Sequence, residues 1–130
     1  MKVLVATEKP FSKAAVDGIR TIVEEAGYEL ALLEKYTDVQ QFYDAVADAD
    51  ALIVRSDKVT KEVIDHANNL KIVVRAGAGF DNLDLAACTA KNIVAMNTPG
   101  QNSNAVAELA IGMMIYMARN TFKPGTGCEL

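Results

Sequence analysis

The chain has 130 residues, room for one domain, and 51% of them are apolar, enough to fill a single core at this length. Its formal net charge of -4, with no basic cluster, argues against nucleic acid, because neutralising phosphates takes grouped Lys and Arg. It leaves room for a small anion held by a few local cations or backbone N–H groups.

Met1 leads straight into an apolar, β-rich run at residues 2–6, with no cationic lead and no long apolar core of a secretory signal. No uninterrupted apolar stretch reaches the roughly 18–20 residues that a membrane helix needs. Cys88 and Cys128 form no close pair and read as free thiols. A cytoplasmic protein without a membrane contact is expected. Residues 12–26 have helical spacing, with Ala15, Ile19, Ile22 and Val23 on one face and a stop near Gly27. A second strand is predicted at 28–33. A second helix follows at 39–48, with Phe42, Ala45 and Val46 facing inward. The third strand is 51–55. The third helix is 61–69, where Val63, Ile64 and Ala67 repeat and Thr60 can cap. The fourth strand is 71–75. Asp81 or Asn82 can cap a fourth helix at 83–91. The fifth strand is 93–97, and a long helix covers 103–119.

Strand and helix alternate five times. That pattern predicts an α/β fold with a parallel sheet covered on both faces. The strands are near-continuous apolar runs, as expected of strands buried on both sides. With right-handed crossovers, a flavodoxin-like, doubly wound five-stranded sheet of order 2-1-3-4-5 is expected. The last helix is apolar almost all the way round, from Ala105 through Met113, Met114 and Met117 to Ala118. A helix of that kind needs cover on every side, so a second domain or a partner chain is expected over it. Self-association through 103–119 is a further expectation, since a large open apolar surface is costly in water. Its methionines read as packing. Residues 120–130 are turn-rich and read as a linker leading onward, so the chain is expected to be truncated.

Ligands of open α/β sheets bind beyond the carboxyl ends of the strands. Strand three delivers Arg55 and Ser56 there, a cation and a hydroxyl suited to a carboxylate or phosphate. Strand four delivers Arg75, Ala76, Gly77, Ala78 and Gly79. Two glycines let backbone approach a ligand and turn N–H groups toward it, and a plain tight turn is the alternative. Strand five ends in Asn97-Thr98-Pro99, a rigid turn. Asn102 and Ser103 open the long helix, where free N–H groups favour an anion or are simply capped. Glu108, on a mostly apolar helix, is expected to be buried and therefore paired or functional. His66, the lone histidine, reads as lying on a solvated helix face. No metal site is expected. Gly77-Ala78-Gly79 is not a dinucleotide fingerprint, because the third glycine of G-x-G-x-x-G falls on Asn82.

Taken together, Ala51-Leu52-Ile53-Val54-Arg55-Ser56, Val74-Arg75-Ala76-Gly77-Ala78-Gly79-Phe80-Asp81-Asn82 and Asn97-Thr98-Pro99-Gly100-Gln101-Asn102-Ser103, followed by Val106-Ala107-Glu108, resemble the D-isomer-specific 2-hydroxyacid dehydrogenases. The resemblance runs through essentially the whole chain. It implies a substrate-binding domain at 1–102, an interdomain crossover helix at 103–119, and a linker at 120–130 toward an absent NAD-binding Rossmann domain. It implies NAD as cofactor and a small anionic 2-hydroxy or 2-oxo acid as substrate, with 3-phospho-D-glycerate ahead of hydroxypyruvate, glyoxylate and lactate. In the family's roles, Arg55 and Ser56 meet the substrate, including its phosphate, and Arg75 to Gly79 meet its carboxylate through the backbone. Asn102 and Ser103, with Glu108 beyond them, lie near the nicotinamide.

Two features depart from the family. The segment from Arg55 to Thr60 is shorter than usual, which leaves substrate choice open. The family's dinucleotide loop, catalytic Arg and catalytic His–Glu pair match nothing here, so no catalytic residue is assigned and the chain alone is expected to be inactive. The alternative of another class is a stand-alone flavodoxin-like binding or regulatory module. A phospho-receiver version would want acids after strands one and three and a lysine after strand five. The chain offers Glu8, Arg55 and Asn97.

Overall fold

The computed structural model describes residues 1–119; the predicted linker at 120–130, with Cys128, lies outside the described residues. The chain divides into two compact units, Met1–Pro99 and the residues from Gly100 on.

The first unit alternates strand and helix: β1 (Lys2–Thr7), α1 (Lys13–Glu25), β2 (Glu29–Glu34), α2 (Val39–Val46), β3 (Ala51–Val54), α3 (Lys61–His66), β4 (Ile72–Arg75), α4 (Leu85–Ala90) and β5 (Val94–Asn97). All pairings are parallel, and the order is β2-β1-β3-β4-β5. This is the doubly wound order that the alternating pattern predicts.

Local chemistry sets the helix ends. Ser12 Oγ accepts the Ala15 N–H, which starts α1. The helix stops where Gly27 turns to φ +74° and the Tyr28 N–H returns to the Val23 carbonyl at 2.9 Å. Asp38 starts α2 by accepting from the Gln40 N–H at 2.9 Å. For α4 the cap is Asp84, whose carboxylate accepts from the Ala87 N–H at 2.9 Å. Asp81 and Asn82, the predicted caps, come too early, because the chain first pairs Val59 with Leu83 in a short bridge before turning helical. Thr60 sits at the cap position of α3 without a side-chain capping bond.

Register aligns Ala31, Leu4, Leu52, Val73 and Ala95 in one row across the sheet. That row packs with Phe42, Val46, Val63, Ile64 and Cys88 from α2, α3 and α4 to form the core. The Cys88 thiol is free, and burial, with the Asp84 carboxylate adding to it, pushes its pKa up.

The opposite face differs from the expectation of strands buried on both sides. There the row is Leu32, Val5, Ile53, Val74 and Met96, and exposure grows toward the edges. Val94 and Met96 of β5 are 55% and 50% exposed. Three helices lie on the core face, leaving α1 alone among the helices of this unit for the other. Within α1 the inward stripe runs through Val16, Ile19 and Val23, and Ile22 is exposed, contrary to its predicted place. Ile22 lies at the edge of this stripe, about 100° round the helix from Val23, where it is left open to solvent.

In the second unit, α5 (Ser103–Ala118) follows Gly100, which adopts φ +77°. None of its residues is buried, and Met114 and Met117 are 68% and 76% exposed; the cover expected over this helix was that of a second domain or a partner chain. Nothing among residues 100–119 offers them a core. No helix of the described residues is long and apolar enough to cross a membrane.

Candidate functional site

A parallel sheet brings the carboxyl ends of all its strands to one edge. At the end of β3, Arg55 and Ser56 are exposed. At the end of β4 the chain turns sharply. The Ala76 N–H donates to the Val54 carbonyl at 2.8 Å, and the Gly77 N–H donates back to the Arg75 carbonyl at 2.9 Å. Those two donors are therefore occupied within the protein. The N–H groups of Ala78 and Gly79 have no acceptor among the described residues. The loop thus offers two of its amides to a ligand, not the whole run from Arg75 to Gly79.

Arg75 folds back over its own loop. Its Nε donates to the Arg55 carbonyl at 2.8 Å. Its Nη1 occupies the space that a Cβ on Gly77 would take, so a side chain at 77 would have to displace the Arg75 guanidinium, while the φ of Gly77 is not positive. Neither Arg55 nor Arg75 forms a salt bridge among the described residues. Two guanidinium groups with no carboxylate partner favour an anion at this edge.

Two neighbouring segments brace the loop. From β5, Asn97 Nδ2 donates to the Ala78 carbonyl at 2.7 Å, and the Thr98 N–H donates to the Gly77 carbonyl at 2.9 Å. From the other side, the Val59 N–H donates to the Asn82 carbonyl at 2.8 Å, and Asn82 Nδ2 donates to the Asp57 carbonyl at 2.8 Å. The β3 and β4 loops are stitched together through Asn82. Its Oδ1 is buried without a donor among the described residues.

The structure thus brings Arg55, Ser56 and Arg75 to Gly79 together at one edge. Asn97 and Asn82 were missed as site residues. The signal for Asn97 was available, since it ends the strand next to β4. Asn102, Ser103 and Glu108 belong to the second unit. Asn102 is the first cap residue of α5 but makes no side-chain capping bond, and the Ser103 N–H donates to the Gly100 carbonyl at 3.2 Å. Glu108 is exposed in this chain, and its expected burial depends on a further domain or a partner chain over α5. The expectation followed from a covered helix, and no cover is present among residues 100–119. His66 is exposed, with its ring stacked on Tyr43 at 4.3 Å. No cluster of His, Cys, Asp and Glu among the described residues could hold a metal ion.

Fold and edge define an α/β domain that can hold a small anion beyond the carboxyl ends of a parallel sheet. Residues 6–123 match the catalytic domain of the D-isomer specific 2-hydroxyacid dehydrogenases, and the chain belongs to that family. It is 44% identical over 100 residues to D-3-phosphoglycerate dehydrogenase of Methanocaldococcus jannaschii, covering 76% of this chain and 19% of that protein. It is 40% identical over 93 residues to hydroxypyruvate reductase of Thermotoga maritima, covering 71% of this chain and 30% of that protein. Among solved structures, the NAD+-bound 3-phosphoglycerate dehydrogenase of Entamoeba histolytica is similar over 100% of this chain and 43% of its own, with 55% identity and a TM-score of 0.87. The chain therefore spans less than half the length of these relatives.

Proposed function

We propose that this chain is the substrate-binding part of an NAD-dependent oxidoreductase acting on the CH–OH group of a D-2-hydroxy acid. The substrate is 3-phospho-D-glycerate, oxidised to 3-phosphohydroxypyruvate on the way to L-serine in the cytoplasm. One observation carries the reading: Arg75 locked onto the Arg55 carbonyl, beside the open N–H groups of Ala78 and Gly79. The two amides suit the substrate carboxylate, and the Arg55 and Arg75 guanidinium groups suit a second negative group. Family membership and the named activities of the relatives support it.

NAD, when bound, would accept the hydride. The residues of this chain do not fit a dinucleotide, since Asn82 stands where the fingerprint needs its third glycine. The cofactor would be held by a further domain reached through 103–119 and the linker at 120–130. Asn102, Ser103 and Glu108 would lie near it. What the chain's own residues do is bind and orient the acid, and the 130-residue chain alone catalyses nothing.

The 40% identity to a hydroxypyruvate reductase favours a second reading with an uncharged tail on the acid. Titration calorimetry separates the two. Under the proposal 3-phospho-D-glycerate binds more tightly than D-lactate, and Arg55→Ala removes most of the difference. Equal affinities, unchanged by Arg55→Ala, would favour the second reading. NAD-dependent oxidation by this chain alone would overturn the assignment of its role.

A further inference from the structure

A cavity of about 400 Å³ opens between the carboxyl ends of β1 and β3 and the start of α2, and Ser56 of the arginine-loop edge lies on its rim with Asp57 and Lys58. That size is within the usual range for small-molecule sites. Phe42, Tyr43, Val39 and Val63 give it an apolar lining, and the rings of Tyr36 and Phe42 lie 5.6 Å apart at 43°.

Asp57 forms part of its wall and is only 7% exposed. Its Oδ1 accepts from the Glu8 N–H at 2.8 Å and from the Tyr36 hydroxyl at 2.7 Å. Among the described residues its Oδ2 accepts nothing, yet it is not sealed from the surroundings. Asp57 makes no salt bridge among those residues, although Lys9 and Lys58 line the same cavity. A carboxylate this buried lacks the cation that would offset its lost hydration. Burial, together with Asp57, holds the Tyr36 phenol well above its ordinary range, so the hydroxyl stays a donor to Oδ1 and leaves Oδ2 for another donor.

We infer that this cavity binds a small primary ammonium compound with an aromatic body, the ammonium donating to Asp57 Oδ2 and the body lying against Phe42, Tyr43 and Val63. An ammonium brings the missing charge and donors, and the aromatic walls favour both a cation and an apolar body. The site goes beyond the proposed dehydrogenase role, since its ligand has the opposite charge to the acid held by the arginine loops.

NMR titration of the 130-residue chain with phenethylammonium tests this, with 2-phenylethanol and 3-phenylpropionate as the uncharged and anionic controls. Saturable shifts are expected at Tyr36, Phe42, Tyr43 and Asp57 with the ammonium, and much weaker ones with either control. Asp57→Asn keeps an oxygen for the Glu8 N–H and the Tyr36 hydroxyl and should weaken binding about tenfold, as loss of a charge-assisted bond does. Val39→Trp, at an exposed position on the cavity, should block binding whether or not the Asp57 variant folds. Equal binding of 2-phenylethanol or 3-phenylpropionate, unchanged affinity in a folded Asp57→Asn chain, unchanged affinity after Val39→Trp, or no shift at the cavity would each overturn the inference.

Discussion

The Arg75 side chain is tied to the Arg55 backbone: Nε donates to the Arg55 carbonyl at 2.8 Å, which fixes the β4 loop against the β3 loop. Gly77 makes this possible, because a Cβ there would overlap Arg75 Nη1. In Gly77→Ala the end of a flexible side chain must move, while the backbone conformation suits any residue. The unfolding free energy should change by no more than about 1 kcal/mol, while affinity for 3-phospho-D-glycerate falls several-fold. Urea unfolding and calorimetry on the same variant check both halves. A large loss of stability with binding intact would contradict the role given to Arg75.

Asp84 caps a helix of six residues, α4, which carries the buried Cys88. Asp84→Ala should cost about 0.5–2 kcal/mol, and Asp84→Asn much less, because asparagine also accepts from the Ala87 N–H. Urea midpoints of the two variants decide it. Equal losses would mean that the charge, not the capping bond, matters.

Asp50 ties three strands at the amino edge of the sheet. Its Oδ2 accepts from the Lys2 N–H at 2.8 Å, and Lys71 Nζ lies 3.4 Å from Oδ1. The Lys2 bond, with Lys71 adding to it, holds the carboxyl below the ordinary aspartate range. The unfolded chain therefore takes up this proton before the folded one does. The stabilisation is present above the unfolded value of about 3.9 and is lost as pH falls through the lower folded value. Stability measured against pH should fall less steeply on the acid side in Asp50→Asn than in the parent chain. Identical acid limbs would contradict this.

The apolar surface of α5 leads to a prediction about assembly. Leu109, Ile111, Met113, Met114, Ile115 and Met117 are all exposed on one helix. Contiguous apolar surface of this kind favours association. Sedimentation velocity should show concentration-dependent self-association, reduced by Met114→Glu. A monomer at every concentration would contradict it.

The sheet order was legible because each strand is a short apolar run and each connection is long enough for one helix. The stop of α1 was legible in Gly27, and the site edge in Arg55 and the Gly77–Gly79 pair. The cap of α4 was not, because Asp81, Asn82 and Asp84 are all capping residues and only the Val59–Leu83 bridge selects the last. The surroundings of Glu108 were not legible either, because its apolar helix calls for cover that the described residues do not supply. The contact between Tyr36 and Asp57, on separate loops, had no signal in either local sequence. Periodicity reads what an element buries, not which loops meet at its ends.

The most direct test of the central claim is a backbone amide NMR titration of this chain with 3-phospho-D-glycerate, with D-lactate and NAD for comparison. Saturable shifts are expected at Arg55, Ser56, Ala78 and Gly79, larger with 3-phospho-D-glycerate than with D-lactate, and none at these amides with NAD alone. Saturating 3-phospho-D-glycerate that leaves the Ala78 and Gly79 amides unmoved would contradict the claim.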